Sequence, residues 1–207
     1  MGFGLLFVGC FFANLMPVFE PLGFTKLIGY PMMLLALRRL SAYHSRFRVC
    51  YFAGFASLPF AAFYTYAAFY AMKVPMPPIP DTVNTIVGWA YFAFFVVFEM
   101  LLLWAIAGLS GELHHIRLTT GATRNMIFVG LFAVLYAGCN ILEAVGVSAV
   151  RYFYVPLLLF RICFFLLDAW LIFCCYRDIC PAEEEQIQLM SDDAEKKDRE
   201  EKHNAEE

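Results

Sequence analysis

The sequence predicts an all-α, polytopic transmembrane helix bundle of about six membrane segments, with both termini in the cytoplasm. Three observations lead there. The 207 residues are 61% hydrophobic and only 16% charged, with a mean hydropathy of +0.65, which is more apolar side chain than one soluble core of this size can hold. Four stretches each supply the roughly 20 mostly apolar residues that a spanning helix needs. The charge also divides along the chain. Residues 181–207 hold 11 of the 18 acids and 4 of the 15 Lys and Arg residues, whereas the preceding part carries 11 basic against 7 acidic residues. Residues 1–180 are therefore expected to form the transmembrane domain, and 181–207 an acidic, disordered cytoplasmic tail.

The first two segments, 3–18 and 24–40, are short and interrupted by Pro17, Pro21 and Pro31, so they read either as two tilted passes or as one re-entrant hairpin. Both readings return the chain to the side on which it began. No basic region precedes the first apolar run and no small-residue cleavage pattern follows it, so it reads as a retained segment. Met1-Gly2 opens like a myristoylation site, but Leu6 stands where Ser or Thr is required. The third segment, 48–73, carries a stripe of small residues, Ala53, Ser57, Ala61 and Ala68, which lets helices approach closely in lipid and predicts a central place in the bundle. Pro75, Pro77, Pro78 and Pro80 end it, because their locked φ angles and missing N–H groups forbid a continuing helix. The fourth, fifth and sixth segments are 82–109, 124–150 and 152–176. The sixth is bulky and is expected to face lipid over most of its circumference. No internal repeat suggests an inverted-repeat transporter.

Orientation follows from Lys and Arg in the short loops. One side collects Arg38, Arg39, Arg46, Arg48, Arg117, Arg124 and Arg177, and the other only Lys26, Lys73 and Arg151. The first side is read as cytoplasmic. Its dense loop of Arg38, Arg39, Arg46 and Arg48 should attract anionic headgroups, at about 1 kcal/mol per residue near the surface. Nothing resembling a soluble nucleic-acid-binding domain accompanies that loop.

A charge near the bilayer centre costs at least about 2.5–3.5 kcal/mol on insertion scales, so Glu99, Glu143, Arg161 and Asp168 each require an explanation. Counting from segment ends puts Glu99 and Asp168 at one depth and Arg161 near the level of Asn140 and Glu143. Tyr136, Asn140 and Glu143 share a face at i, i+4 and i+7. These residues read as a polar site for a proton, cation or small polar solute, or as a buried network that fixes helix order. Glu112-x-x-His115 has half the spacing of a carboxylate-bridged metal site, but no second copy appears, and no metal or other cofactor is expected. Cys174, Cys175 and Cys180 read as ordinary small apolar residues at a helix end, and the seven cysteines have no disulfide spacing.

Leu27-Ile28-Gly29-Tyr30 with Leu34-Leu35-Ala36-Leu37-Arg38-Arg39-Leu40-Ser41, and the ending Cys175-Tyr176-Arg177-Asp178-Ile179-Cys180 followed by acids, resemble parts of small, uncharacterised multi-pass membrane proteins of clostridial bacteria. The resemblance implies a bacterial cytoplasmic-membrane location and carries no activity with it. From the residues themselves the first expectation is a non-enzymatic membrane protein acting by association or regulation, with the tail docking a cytoplasmic partner. The second is a small transporter or ion- or proton-conducting protein that uses Glu99, Glu143, Arg161 and Asp168. An embedded enzyme is disfavoured, because His114 and His115 lie in a loop away from the deep acids.

Overall fold

The computed structural model describes residues 2–15, 22–72, 77 and 79–179, and among them every regular element is helical. Helix α1 (Gly2–Cys10) continues into a π-helical turn, Phe11–Leu15. A 3-10 turn, Leu22–Thr25, leads into α2 (Lys26–Leu40). Next come α3 (Ser45–Gly54), α4 (Ser57–Ala71), α5 (Asp81–Glu112) and α6 (Ile116–Ala144). A 3-10 stretch, Ser148–Phe153, precedes α7, residues 154–179.

Four stretches are long and apolar enough to cross a membrane: Ser45–Ala71, Asp81–Glu112, Ile116–Ala144 and Ala149–Ile179. At 1.5 Å per residue they are about 40–48 Å long, against the roughly 30 Å of hydrocarbon to be crossed. They match the third to sixth expected segments. The first of the four is not one straight helix. Pro59 has no N–H to give the carbonyl of Phe55 and its ring crowds that carbonyl, so the chain turns at Phe55–Ala56 between α3 and α4. The Phe55 carbonyl receives the Leu58 N–H instead, at 3.2 Å, and the Ser57 hydroxyl donates to the Gly54 carbonyl at 2.6 Å.

The first two expected segments form an antiparallel hairpin of shorter helices. Pro31 does not interrupt α2, which runs through it. The helices cross at small residues. A Cβ on Gly9 would lie 2.7 Å from the Met33 side chain, and one on Gly29 2.7 Å from the Ala13 Cα and 2.8 Å from the Phe12 carbonyl carbon. Gly2, Gly9 and Ala13 therefore face Leu40, Met33 and Gly29 in antiparallel register, with backbones nearer than any side chain would allow.

The core centres on α5 rather than on the third segment. Among the membrane-length stretches, Asp81–Glu112 buries the largest share of its apolar window, through Tyr91, Phe95, Phe98, Leu102, Leu103, Ala105 and Ile106. The small-residue stripe does mark a packed face, since Ser57, Ala61 and Ala68 are buried. That face is turned toward α2 and the turn before it, with Ala68 against Gly23, so α3 and α4 stand at the periphery. Helix α7 buries Leu157, Phe164, Phe165, Asp168, Leu171, Ile172 and Cys175, while Leu158, Leu159, Leu166 and Trp170 face outward. It contributes more to the core than its bulk suggests.

One end of the bundle gathers the start of α1 and the α2–α3 and α5–α6 turns. Phe3 and Phe47 meet edge to face with ring centroids 5.9 Å apart. His44 Nδ1 accepts from the Arg46 backbone N–H at 3.1 Å, which leaves Nε2 to donate to Glu112 at 3.0 Å. Glu112 thus ties two turns together. Residues 181–207 and Cys180 lie outside the described residues, as do Pro17, Pro21, Lys73, Pro75 and Pro78.

Candidate functional site

At the opposite end, α4, α5, α6 and α7 part around a cavity of about 650 Å³. Their packing explains the opening. Ala67, Ala68, Ala71 and Gly88 line its mouth, where small side chains leave space, and Trp89, Phe92, Phe132 and Tyr136 wall it. Phe95 and Arg161 lie deepest. Along α5 the lining runs from Thr85 to Phe95, so the cavity extends about 15 Å along the helix. Below it Phe95 packs on Phe164 and Phe165 with centroids 6.4 and 5.5 Å apart, and this aromatic layer closes the floor.

Two cations border the cavity. Lys26 is 5% exposed, and its Nζ stands 3.6 Å from the Tyr64 ring centroid and 3.9 Å from that of Tyr91. The Tyr91 hydroxyl is held in turn by Tyr30, 3.0 Å away. The Arg161 guanidinium lies over Phe95 and Phe165 at 5.6 and 5.5 Å, and its Nε is buried without a hydrogen-bond partner. Among the described residues neither cation has a carboxylate partner. The ion pairs found there join His44 to Glu112, Arg151 to Glu143 and Arg177 to Asp178.

The deep acids lie elsewhere. Glu99, 2% exposed, accepts from Asn14 Nδ2 at 3.0 Å, and Asp168, 5% exposed, accepts from Asn125 Nδ2 at 2.8 Å. Arg124 donates to the Asn125 side-chain oxygen Oδ1 at 3.1 and 3.2 Å, which fixes the amide so that its nitrogen faces Asp168. Both acids line a void of about 30 Å³ with Cys10 and Asn14, room for one water. The depth match of Glu99 with Asp168 is realised as this shared void.

The sequence-predicted residues therefore separate into three places. Arg161 and Asn140 line the cavity, and Asn140 also donates to the Tyr136 carbonyl at 2.7 Å. Glu99 and Asp168 sit beneath its floor. Glu143 is at the rim of α6, 3.5 Å from Arg151 and 2.6 Å from the Tyr154 hydroxyl, so it is not the partner of Arg161 that equal depth suggested. In the basic loop Arg38, Arg39 and Arg48 are exposed, whereas Arg46 stacks on Trp104 at 4.5 Å. Glu112 engages His44, and among the described residues no three His, Cys, Asp or Glu side chains gather as a metal site.

Lys26, Asn14 and Asn125 escaped sequence reasoning. Lys26 reads as a loop lysine among prolines, and the two asparagines are uncharged. A polar amide in an apolar run was the available signal. We expect Asn14→Leu to destabilise the protein by about 1 kcal/mol, since the buried hydrogen bond to Glu99 is lost in a setting where such bonds average less. Asn14→Asp would not restore the donated bond, while Asn14→Gln would recover part of it. Chemical unfolding in one detergent reads all three.

Compared with protein-family models, with curated proteins and with solved structures, the chain matches none.

Proposed function

We propose that this chain is a non-enzymatic multi-pass membrane protein that receives a small solute in the cavity between α4, α5, α6 and α7 and passes it across a bacterial cytoplasmic membrane. The carrying observation is a cavity open at one end of the bundle and closed beneath by Phe95, Phe164 and Phe165. A carrier needs a site that faces one side at a time, and a thin aromatic floor midway is where such a site would change sides. The acid pair just below that floor supplies the next polar station. In this reading the α1–α2 hairpin provides two short membrane segments, making six, and both chain ends face the cytoplasm. The arginines favour that orientation, because Arg38, Arg39, Arg48, Arg117 and Arg177 cluster at the end opposite the cavity mouth.

A second reading, association or regulation, draws on the exposed Arg38, Arg39 and Arg48. At a cytoplasmic surface they would hold anionic headgroups, and the acidic tail would meet a protein partner.

Cysteine labelling tests the carrier reading and its orientation together. In intact cells a membrane-impermeant thiol reagent should modify Ala67→Cys and Pro77→Cys but not Ala42→Cys, with each labelled peptide followed by mass spectrometry against the native cysteines. Labelling at Ala42 with protection at Pro77 would reverse the orientation. Protection of Ala67 from both faces of the membrane would remove the water-filled cavity, and the carrier reading with it.

A further inference from the structure

The cavity's chemistry is selective, and this inference rests on the solute-binding reading just given. Among the described residues, the two charged ones that line the cavity, Lys26 and Arg161, are both cations, and no carboxylate is there. Each is held against aromatic faces rather than by an acid among the described residues. Lys26 is almost fully buried, and the Arg161 Nε–H is buried with nothing to receive it. Burying a charge without a partner is costly. Cation–π contact returns only about 0.5–2 kcal/mol of that. Lys26 has the Tyr91 hydroxyl besides and Arg161 the more distant charge of Glu99, but neither is in an ion pair among the described residues, and two such cations beside one cavity leave an electrostatic deficit that an anion would fill. Among the described residues the nearby acids are engaged elsewhere: Glu143 by Arg151 and Tyr154, Glu99 by Asn14, and Asp168 through Oδ1 by Asn125.

The walls define the rest of the ligand. Trp89, Phe92, Phe132 and Tyr136 offer apolar and aromatic surface above Arg161, where a headgroup alone would leave dry space. We infer that the cavity binds an organic anion built from one carboxylate or phosphate group, lodged between Lys26 and Arg161, and an apolar body that packs against the aromatic walls. A soluble aromatic acid and an anionic lipid share this chemistry. A 650 Å³ cavity falls within the usual range for small-molecule sites, about 300–1,000 Å³.

The test uses the full chain in phosphatidylcholine nanodiscs and the fluorescence of Trp89, with Trp89→Phe identifying the signal. Three probes of one shape are titrated: 4-phenylbutyrate, 4-phenylbutanol and 4-phenylbutylamine. The acid should bind saturably and at least tenfold more tightly than the alcohol, and the amine should bind weakest. Arg161→Gln and Lys26→Gln should each weaken the acid tenfold or more and leave the alcohol unchanged, while Arg161→Lys keeps the preference for the acid. Repeating the titration with phosphatidylglycerol in the discs separates the sources. Unchanged affinity points to a soluble anion, and competitive weakening points to the lipid. Both results uphold the anion class. Equal binding of acid and alcohol, or indifference to both glutamine variants, overturns that class while leaving a solute site standing. If no probe binds although Ala67→Cys is reached by the aqueous reagent, the inferred ligand is wrong. If Ala67→Cys is also protected, the carrier reading fails first.

Discussion

Gly29→Val should destabilise the protein by about 3 kcal/mol, or prevent its accumulation in the membrane altogether. Gly29 faces the backbone of Ala13 and Phe12, where even a Cβ would come within 2.7–2.8 Å of main-chain carbon atoms. Backbone cannot step aside as a flexible side chain can, so the α1–α2 crossing must spread. Overpacking of a well-packed site typically costs about 1–3 kcal/mol, occasionally more, and a β-branched residue against main chain belongs at the upper end. Spreading the hairpin also withdraws Asn14 from Glu99 and moves Lys26 at the head of α2. Gly88→Ala provides the control, because a Cβ there meets nothing within 4 Å. Unfolding in one detergent, with both variants beside the parent, measures the difference. Equal stability of Gly29→Val and Gly88→Ala would mean that the hairpin is not packed through its glycines.

Asn125→Leu should cost about 2–3 kcal/mol. Asn125 is fully buried, and its amide donates to Asp168 Oδ1 while its side-chain oxygen receives Arg124. Asp168 Oδ2 is already without a partner, so the variant leaves the whole carboxylate unsatisfied in an apolar interior. Removing one partner of a buried charge-assisted bond carries this full penalty, whereas removing both can be nearly neutral. Asn125→Leu with Asp168→Leu is therefore expected to recover much of the loss. A double-mutant cycle reads the coupling, and additive losses would contradict the paired arrangement.

How much of this was legible in the sequence depends on whether a feature lies along a helix or around it. Apolar length located the four membrane-length stretches, with 82–109 inside Asp81–Glu112 and 152–176 inside Ala149–Ile179. Helix α6 starts at Ile116, well before the expected 124, because Arg117, Thr119 and Thr120 form helix beyond the apolar run. Pro59 and Pro31 illustrate the limit of proline as a signal. Pro59 sits in the first turn of α4 and still turns the chain at Phe55, while α2 accommodates Pro31. Depth counting found the level of Glu99 and Asp168 and that of Arg161 and Asn140. It could not assign azimuth, and so matched Glu143 with Arg161. The turn after α6, with Gly146 at φ 95°, instead brings Arg151 back to Glu143. Lys26 was invisible as a site residue because its burial comes from Tyr64 and Tyr91, which are distant in sequence.

If the cavity receives a solute as proposed, Arg161 is kept for that solute and not for helix pairing. Thermal unfolding of Arg161→Leu without added ligand, in the same detergent as the parent, tests it most directly. A guanidinium with a buried, unpartnered Nε stabilises the empty protein little. Leucine gives up cation–π contact of about 0.5–2 kcal/mol and escapes a desolvation penalty of about 1–3 kcal/mol. The midpoint should therefore stay within about 4 °C of the parent or rise above it, at roughly 2–4 °C per kcal/mol for a chain of this size. A fall of many degrees, reversed by adding Glu143→Leu or Asp168→Leu, would make Arg161 a structural counter-ion and contradict the account.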